Sequence, residues 1–311
     1  MLRRDTKAAA TSSRVYLAGV LDRGVLCLDR DTGDERNVLV SRYADLSDVV
    51  AIWMMARGEL FVWPRLASRV FRFASDGSEL EPVELPAPLR ELVPDRVVAT
   101  GTGRIAILGT SGRWPERARL LLWEPATHEV IEVFGAAEDS DVNPDTVLAG
   151  GWLAADPAGG FLYTGLSPYR IANFDGHGVL HWQVTEPAPF ERQSSVAAGQ
   201  VDERSPGPFS FGKSGWPIGG HRYLLDIREP TAHFTAWHDA GRPDHVYPRR
   251  RLFDSHHAVL WVSANGTATR MAKLPGLNDL ELLAALGPGT FVARLGVQTI
   301  VEATITVTVR E

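Results

Sequence analysis

Six of the chain's nine histidines fall between residues 221 and 257: His221, His233, His238, His245, His256 and His257. Asp226, Asp239, Asp244 and Asp254 lie among them. Imidazole and carboxylate groups hold divalent metals and pass protons near neutral pH. His221, His238, His245 and Asp244 are therefore candidate metal ligands. His233, His238, His256, Asp239 and Asp254 are candidate catalytic acid–base groups. No spacing in the segment matches H-E-x-x-H or another familiar ligand motif. Polar histidines on solvated turns explain the segment without a function. If His256 and His257 lie on a strand, they face opposite ways.

A second pattern is GPFSFGKS, Gly207–Ser214, which has the G-x-x-x-x-G-K-S spacing of a phosphate-binding loop. That chemistry needs a strand before the loop and a helix starting at the serine. Neither is legible here. ERSP precedes the match, and Pro217 falls where the second helical turn would be. The expectation is a chance match: a glycine-rich loop leading into a strand. Asp175-Gly176-His177-Gly178 is explained as a turn. Ser111-Gly112 and Ser194-Ser195 lack the G-x-S-x-G setting of a hydrolase nucleophile.

The totals narrow the classes. The chain has 311 residues, a net charge of −6 and a pI near 5.9. A nucleic-acid binder usually carries a basic patch or a pI above about 9; the densest basic run here is Arg249-Arg250-Arg251, so no nucleic-acid partner is expected. Three lysines stand against 29 arginines, a bias typical of a GC-rich bacterial genome. One cysteine, Cys27, excludes an internal disulfide and any multi-cysteine zinc site. Its apolar neighbours make it a core thiol. The longest apolar run, Val49–Ala56, is too short to span a bilayer. No apolar segment follows the basic residues of the N-terminus. The sequence as written reads as cytoplasmic, and as periplasmic or secreted if a leader has been removed.

Such groups must be positioned by strands. Asp48–Leu85 holds four short apolar runs, broken at Arg57-Gly58, Pro64–Ser68 and Asp76-Gly77. Four strands in about forty residues make one blade of a β-propeller. The hairpins LCLDRDTGDERNVL, VFRFASDGSELEPV, LLLWEPATHEVIEV and IANFDGHGVLHWQV repeat the scheme. Their turn positions, Gly33, Gly77, His128 and Gly178, are 44, 51 and 50 residues apart. The predicted fold is all-β: a single propeller of four-stranded antiparallel blades. Six blades fit best, with five or seven as alternatives. Units are expected at 14–47, 48–95, 96–145, 146–187, 208–275 and 279–311. Within 208–275 two hairpins, Phe234–Pro248 and Val259–Leu274, leave the blade boundary open: one is an insertion within a blade, or one is an inner hairpin. Residues 1–13 read as a disordered tail. Thr299–Arg310 is expected to close the ring by pairing with Arg14–Val20 in one blade. Most of the nine tryptophans should be core between blades, with Trp114 the best candidate for an exposed contact.

RVFRFASDGSELEPV and RIANFDGHGVLHWQV resemble the outer hairpin of NHL-type blades, within the six-bladed superfamily that also holds TolB-like and gluconolactonase-like proteins. CLDRDTGDERNV is similar to a quinoprotein blade motif. The resemblance covers residues 14–184. The Gly-His and Trp-Asp pairs of WD-repeat blades are absent. So is the acidic-Gly-Pro-x-Trp segment of the gluconolactonase-like hydrolases, and no catalytic residue carries over. The resemblance implies a fold, and folds host many functions. Two functional expectations follow. The first is a binding or scaffold propeller that presents one rim to a protein or small-molecule ligand, as a single chain or as a subunit of a larger complex; no cofactor is evident for it. The second is a metal-assisted hydrolase or lyase, with histidines and aspartates around a central channel and a divalent metal as cofactor.

Overall fold

The turn residues that set the repeat sit where strand reversals need them. In the computed structural model Gly33, Gly77, Gly178 and Gly266 have φ of 73°, 89°, 85° and 84°, and His128 takes 59°. Positive φ lets the chain reverse tightly between two strands. At two of these turns the missing side chain also matters. A Cβ on Gly178 would lie 2.7 Å from Leu122, and one on Gly266 would lie 2.2 Å from the Cβ of Trp182. Each turn therefore packs against the preceding blade.

The structure describes residues 6–19, 24–42, 45–46, 48–65, 67–111, 118–135, 151–165, 170–185, 211–230, 253–274, 277, 280–295 and 299–306. They form six antiparallel sheets arranged as the blades of a propeller. Blade one is β1 (Lys7–Ala10), β2 (Arg14–Ala18), β3 (Val25–Asp29) and β4 (Glu35–Leu39). Blade two is β5 (Val49–Met54), β6 (Leu60–Pro64), β7 (Arg69–Phe73) and β8 (Glu79–Glu84). A single helical turn, α1 (Ala87–Arg90), leads to blade three: β9 (Leu92–Ala99), β10 (Ile105–Ser111), β11 (Ala118–Glu124) and β12 (Glu129–Gly135). Blade four is β13 (Gly151–Ala155), β14 (Phe161–Gly165), β15 (Arg170–Phe174) and β16 (Leu180–Thr185). Blade five is β17 (Phe211–Gly219), β18 (Arg222–Pro230), β19 (Phe253–Val262) and β20 (Ala268–Leu274). Blade six has three strands among the described residues, β21 (Leu280–Gly287), β22 (Thr290–Leu295) and β23 (Thr299–Thr304).

The middle strands are apolar on both faces because each blade is sandwiched between two others. All five residues of β6 and of β14 are buried. The core is thus a circle of seams. Trp53, Trp63 and Trp123 fill the seam between blades two and three. Trp152 of blade four and Trp216 of blade five belong to the cluster that runs on to blade six. Cys27 is buried between blades one and two. Trp182 and Trp261 are partly buried, and Trp114 lies outside the described residues.

Two expectations are corrected, and one alternative left open is decided. Residues 7–10 are not tail but the innermost strand of blade one, paired from Lys7↔Ala18 to Ala10↔Val15. Lys-Ala-Ala-Ala has weak β propensity, which hid it; small side chains suit a strand crowded around the ring axis. The C-terminal strand does not join Arg14–Ala18. β2 already has β1 on one edge and β3 on the other, so no edge is open to it. β23 pairs with β22 instead. The open boundary within 208–275 is decided by β17–β20 forming one blade, with 231–252 between its second and third strands, so Gly266 is the fifth outer turn, while Gly241 lies outside the described residues.

Ring closure therefore rests on side chains. Val15, Leu17 and Leu26 of blade one pack on Ala284 and Val292 of blade six. Arg30 adds a two-pronged ion pair to Glu302, with Nε and Nη2 donating to the two carboxylate oxygens at 2.7 Å each. Apolar burial should dominate over this solvent-accessible pair. Leu17→Ala is expected to cost about 2–5 kcal/mol and Arg30→Ala less than about 1 kcal/mol, both read by urea unfolding. Equal costs would place closure on the ion pair.

Candidate functional site

Antiparallel alternation gives the ring two unlike ends. Connections from first to second and third to fourth strands share one end; the others share the opposite end. On the first, the turn face, no connection between the described strands exceeds five residues. On the second, the loop face, the chain leaves for residues 136–150, 186–210 and 231–252.

Five candidates, His233, His238, Asp239, Asp244 and His245, belong to 231–252 and lie outside the described residues. Asp254 and His256 sit near the start of β19, where the chain returns from that connection; Asp254 is in register with Glu229 and His256 with Ile227. His221 occupies the β17–β18 turn with φ 54°, at the other end of β18. A nine-residue strand spans about 30 Å, so His221 is far from the point where 231–252 departs. Among the described residues no group of three or more His, Cys, Asp or Glu side chains could hold a metal. The expected opposition of His256 and His257 is present: His257 is buried and His256 is half-buried.

His257 belongs to a row that sequence reading missed. Ser214, Asp226 and His257 stand opposite one another on β17, β18 and β19, and are 4%, 6% and 1% exposed. Directly opposed residues point to one face. Theirs is the face that carries Trp216, Leu224 and Val259 toward blade six. Trp216 Nε1 donates to Ser214 Oγ at 3.2 Å. A nucleophilic relay needs the histidine between serine and carboxylate. Here the aspartate is in the middle, so the row is not such a relay. The same strand settles the G-x-x-x-x-G-K-S match: Phe211–Gly219 is β17, and no helix starts at Ser214.

The innermost strands of all six blades enclose a central channel with a cavity of about 290 Å³. Its lining side chains are mostly alanine, valine, leucine and isoleucine, with Thr6, Lys7, Asp95, Arg96 and Glu281 as the polar ones. Arg96, the fifth residue of β9, sets its guanidinium carbon 4.0 Å from the centre of the Trp152 ring. Its Nη1 donates to the Asp95 carbonyl oxygen at 2.7 Å. Its Nε is buried and has no acceptor among the described residues, nor do the Nε1 groups of Trp53 and Trp152 beside the same cavity. Burial draws the Arg96 pKa below its ordinary value, and the charges of Asp95 and Glu281 act against that fall. Glu281 is itself ion-paired with Arg294. Trp53, Arg96, Trp152 and Glu281 come from four blades and share no local motif. The signal in the sequence was a charged side chain within an inner strand, as with Arg96 in β9 and Glu281 in β21.

On the turn face, blades three and four meet at glycines. Gly101 N–H donates to Gly159 O at 2.8 Å, and Thr102 Oγ1 to Gly176 O at 2.9 Å. Asp175 Oδ1 accepts from the backbone N–H of His177 at 2.8 Å and of Val179 at 2.9 Å. Turn chemistry thus accounts for Asp175–Gly178.

No family model matches the sequence, and no curated protein matches it. Solved structures do match in shape. A catalytically inactive virginiamycin B lyase from Staphylococcus aureus, with quinupristin, superposes with a TM-score of 0.51 at 12% identity, over 98% of this chain and 97% of that one. Hydrazine synthase of Kuenenia stuttgartiensis gives 0.51 at 11% identity, over 92% and 72%. A chain of a mitotic checkpoint complex gives 0.50 at 14%, over 93% and 86%. The chain has the propeller fold of these proteins. At such identities the likeness extends to fold alone.

Burial acts to raise the Asp175 pKa, but the two backbone N–H bonds, with the charges of His177 and His181, hold it below the ordinary value. A depressed carboxyl contributes stability above its unfolded pKa and loses it as pH falls through the folded one. Asp175→Ala is expected to cost about 1 kcal/mol near pH 7, with the gap to the wild type closing below about pH 4. Urea unfolding across that range reads it; a gap independent of pH contradicts the capping role.

Proposed function

We propose that the protein is a binding propeller that presents its loop face to a protein or small-molecule ligand. One observation carries this reading: between the described strands, every connection longer than ten residues leaves the same end of the ring, while the turn face has reversals of five residues or fewer. Recognition residues concentrate on loops held by a rigid framework. The similar folds include enzymes and a chain from a protein complex, so fold alone favours neither class. Among the described residues no helix is long and apolar enough to cross a membrane.

A second reading, the metal-assisted hydrolase or lyase, has one observation in its favour. The segment 231–252, with His233, His238, Asp239, Asp244 and His245, springs from that same face, and Asp254 and His256 border it.

One measurement on the unaltered protein and one variant separate the two readings. Metal analysis of the purified protein, with thermal unfolding in added calcium, magnesium, manganese or zinc, is expected to give no stoichiometric metal and no stabilisation. Stoichiometric metal would favour the enzyme. Pro230 and Phe253 are directly paired, so a short turn can replace 231–252 without separating the strands. That variant should keep the melting temperature of the wild type and lose a stoichiometric partner captured from the native host. Equal capture by both proteins, or capture by neither, contradicts rim binding through this connection.

A further inference from the structure

The central channel holds a second feature that the rim does not explain. Three buried donors beside its wall lack a partner among the described residues. Nε of Arg96 and Nε1 of Trp53 and of Trp152 are buried without an acceptor among the described residues. Buried polar groups are nearly always hydrogen-bonded, and a set of exceptions around one cavity calls for an acceptor. The carboxylates nearby do not supply one. Glu281 is engaged by Arg294. Asp95 offers Arg96 its backbone carbonyl, and its residue is exposed. Lys7, the first residue of β1, adds another cation to the lining. Lys7 and Glu281, of opposite charge, lie at the loop-face ends of their strands.

Geometry then selects the kind of acceptor. The Arg96 guanidinium carbon lies over the Trp152 ring, 4.0 Å from its centre, and this contact holds the group in place. A fixed guanidinium is a fork that matches a planar two-oxygen anion. Most of the other side chains on the wall are apolar, with Ala8, Val50, Val97, Leu153 and Ala284 among them. The cavity of about 290 Å³ sits at the small end of ligand sites, which start near 300 Å³. We propose that the channel binds a small organic carboxylate, its anionic group on Arg96 and its apolar body against the aliphatic wall. The site is distinct from the rim reading and stands whether or not the rim binds a partner. The apolar wall favours a carboxylate over a phosphate, which is more strongly hydrated and carries more charge.

The test uses the full chain and benzoate as probe, with benzamide as its neutral counterpart and phenyl phosphate as the alternative anion. Calorimetric titration and thermal unfolding read the binding. Benzoate should bind in the millimolar range or tighter and raise the melting temperature, while benzamide should bind at least about tenfold more weakly. Arg96→Gln should lower benzoate affinity about tenfold or more, and Arg96→Lys should recover part of it. Glu281→Gln removes a carboxylate near the mouth and should tighten benzoate binding. If Arg96→Gln does not fold, the benzoate–benzamide difference and the Glu281→Gln variant decide. Equal binding of benzoate and benzamide, full benzoate affinity in Arg96→Gln, no benzoate binding up to about 10 mM, or tighter binding of phenyl phosphate would each overturn the proposal.

Discussion

Six sheets arranged in a ring are stable only if the last finds the first. Each middle strand of a blade is apolar on both faces, so an open ring would leave one such face in water at blade one and another at blade six. In this protein no strand is shared across the join among the described residues. The join is made by Val15, Leu17 and Leu26 against Ala284 and Val292, with Arg30 and Glu302 at its edge. Burying side chains of this size contributes roughly 1.5–3 kcal/mol each, so a handful of them can hold the ring. The placement of β1 follows from the same constraint. It stands between β5 and β21 around the axis, and without it the channel wall would lack one of its six staves.

Closure in turn determines what the molecule can recognise. The alternation of strand directions gives the ring two ends, and the three longest connections between the described strands all leave from one of them. The channel inherits that polarity. Its charged groups, Lys7, Arg96 and Glu281, and the indole of Trp152 come from four blades and meet only because the ring is closed. An arginine beside a tryptophan in a narrow channel is a costly arrangement when one of its donors, Nε, finds no acceptor among the described residues. That cost is what gives the channel its preference for an anion. The buried row of Ser214, Asp226 and His257 does not line that channel. It lies within the seam between blades five and six, away from solvent, and it joins three strands of one blade.

Much of the fold was legible in the sequence because the repeat is carried by turns. Gly33, Gly77, His128 and Gly178 share a backbone conformation that few residues adopt, and their spacing gave the period and the blade count. Legibility failed where local pattern and tertiary role diverge. Lys7–Ala10 looks like a tail because its strand is made by position around the axis and not by side-chain propensity. Gly266 looked out of step because 186–210 and 231–252 are both inserted between Gly178 and it. The candidate site was less legible still. The histidine-rich segment drew attention by composition, yet most of it lies outside the described residues. Arg96 and Trp152 were passed over because their significance is a contact between blades, and nothing in the neighbourhood of either residue encodes it.

The claim on which all of this rests is that residues 7–10 form the innermost strand of blade one and seat the closure against blade six. Hydrogen exchange of the intact chain measures it directly. The amides of Lys7–Ala10 that point at β2 should exchange as slowly as those of β5 and β9, and should open together with the protein as a whole. Exchange of these amides at the rate of an unstructured peptide, while β2 and β3 remain protected, would contradict the account.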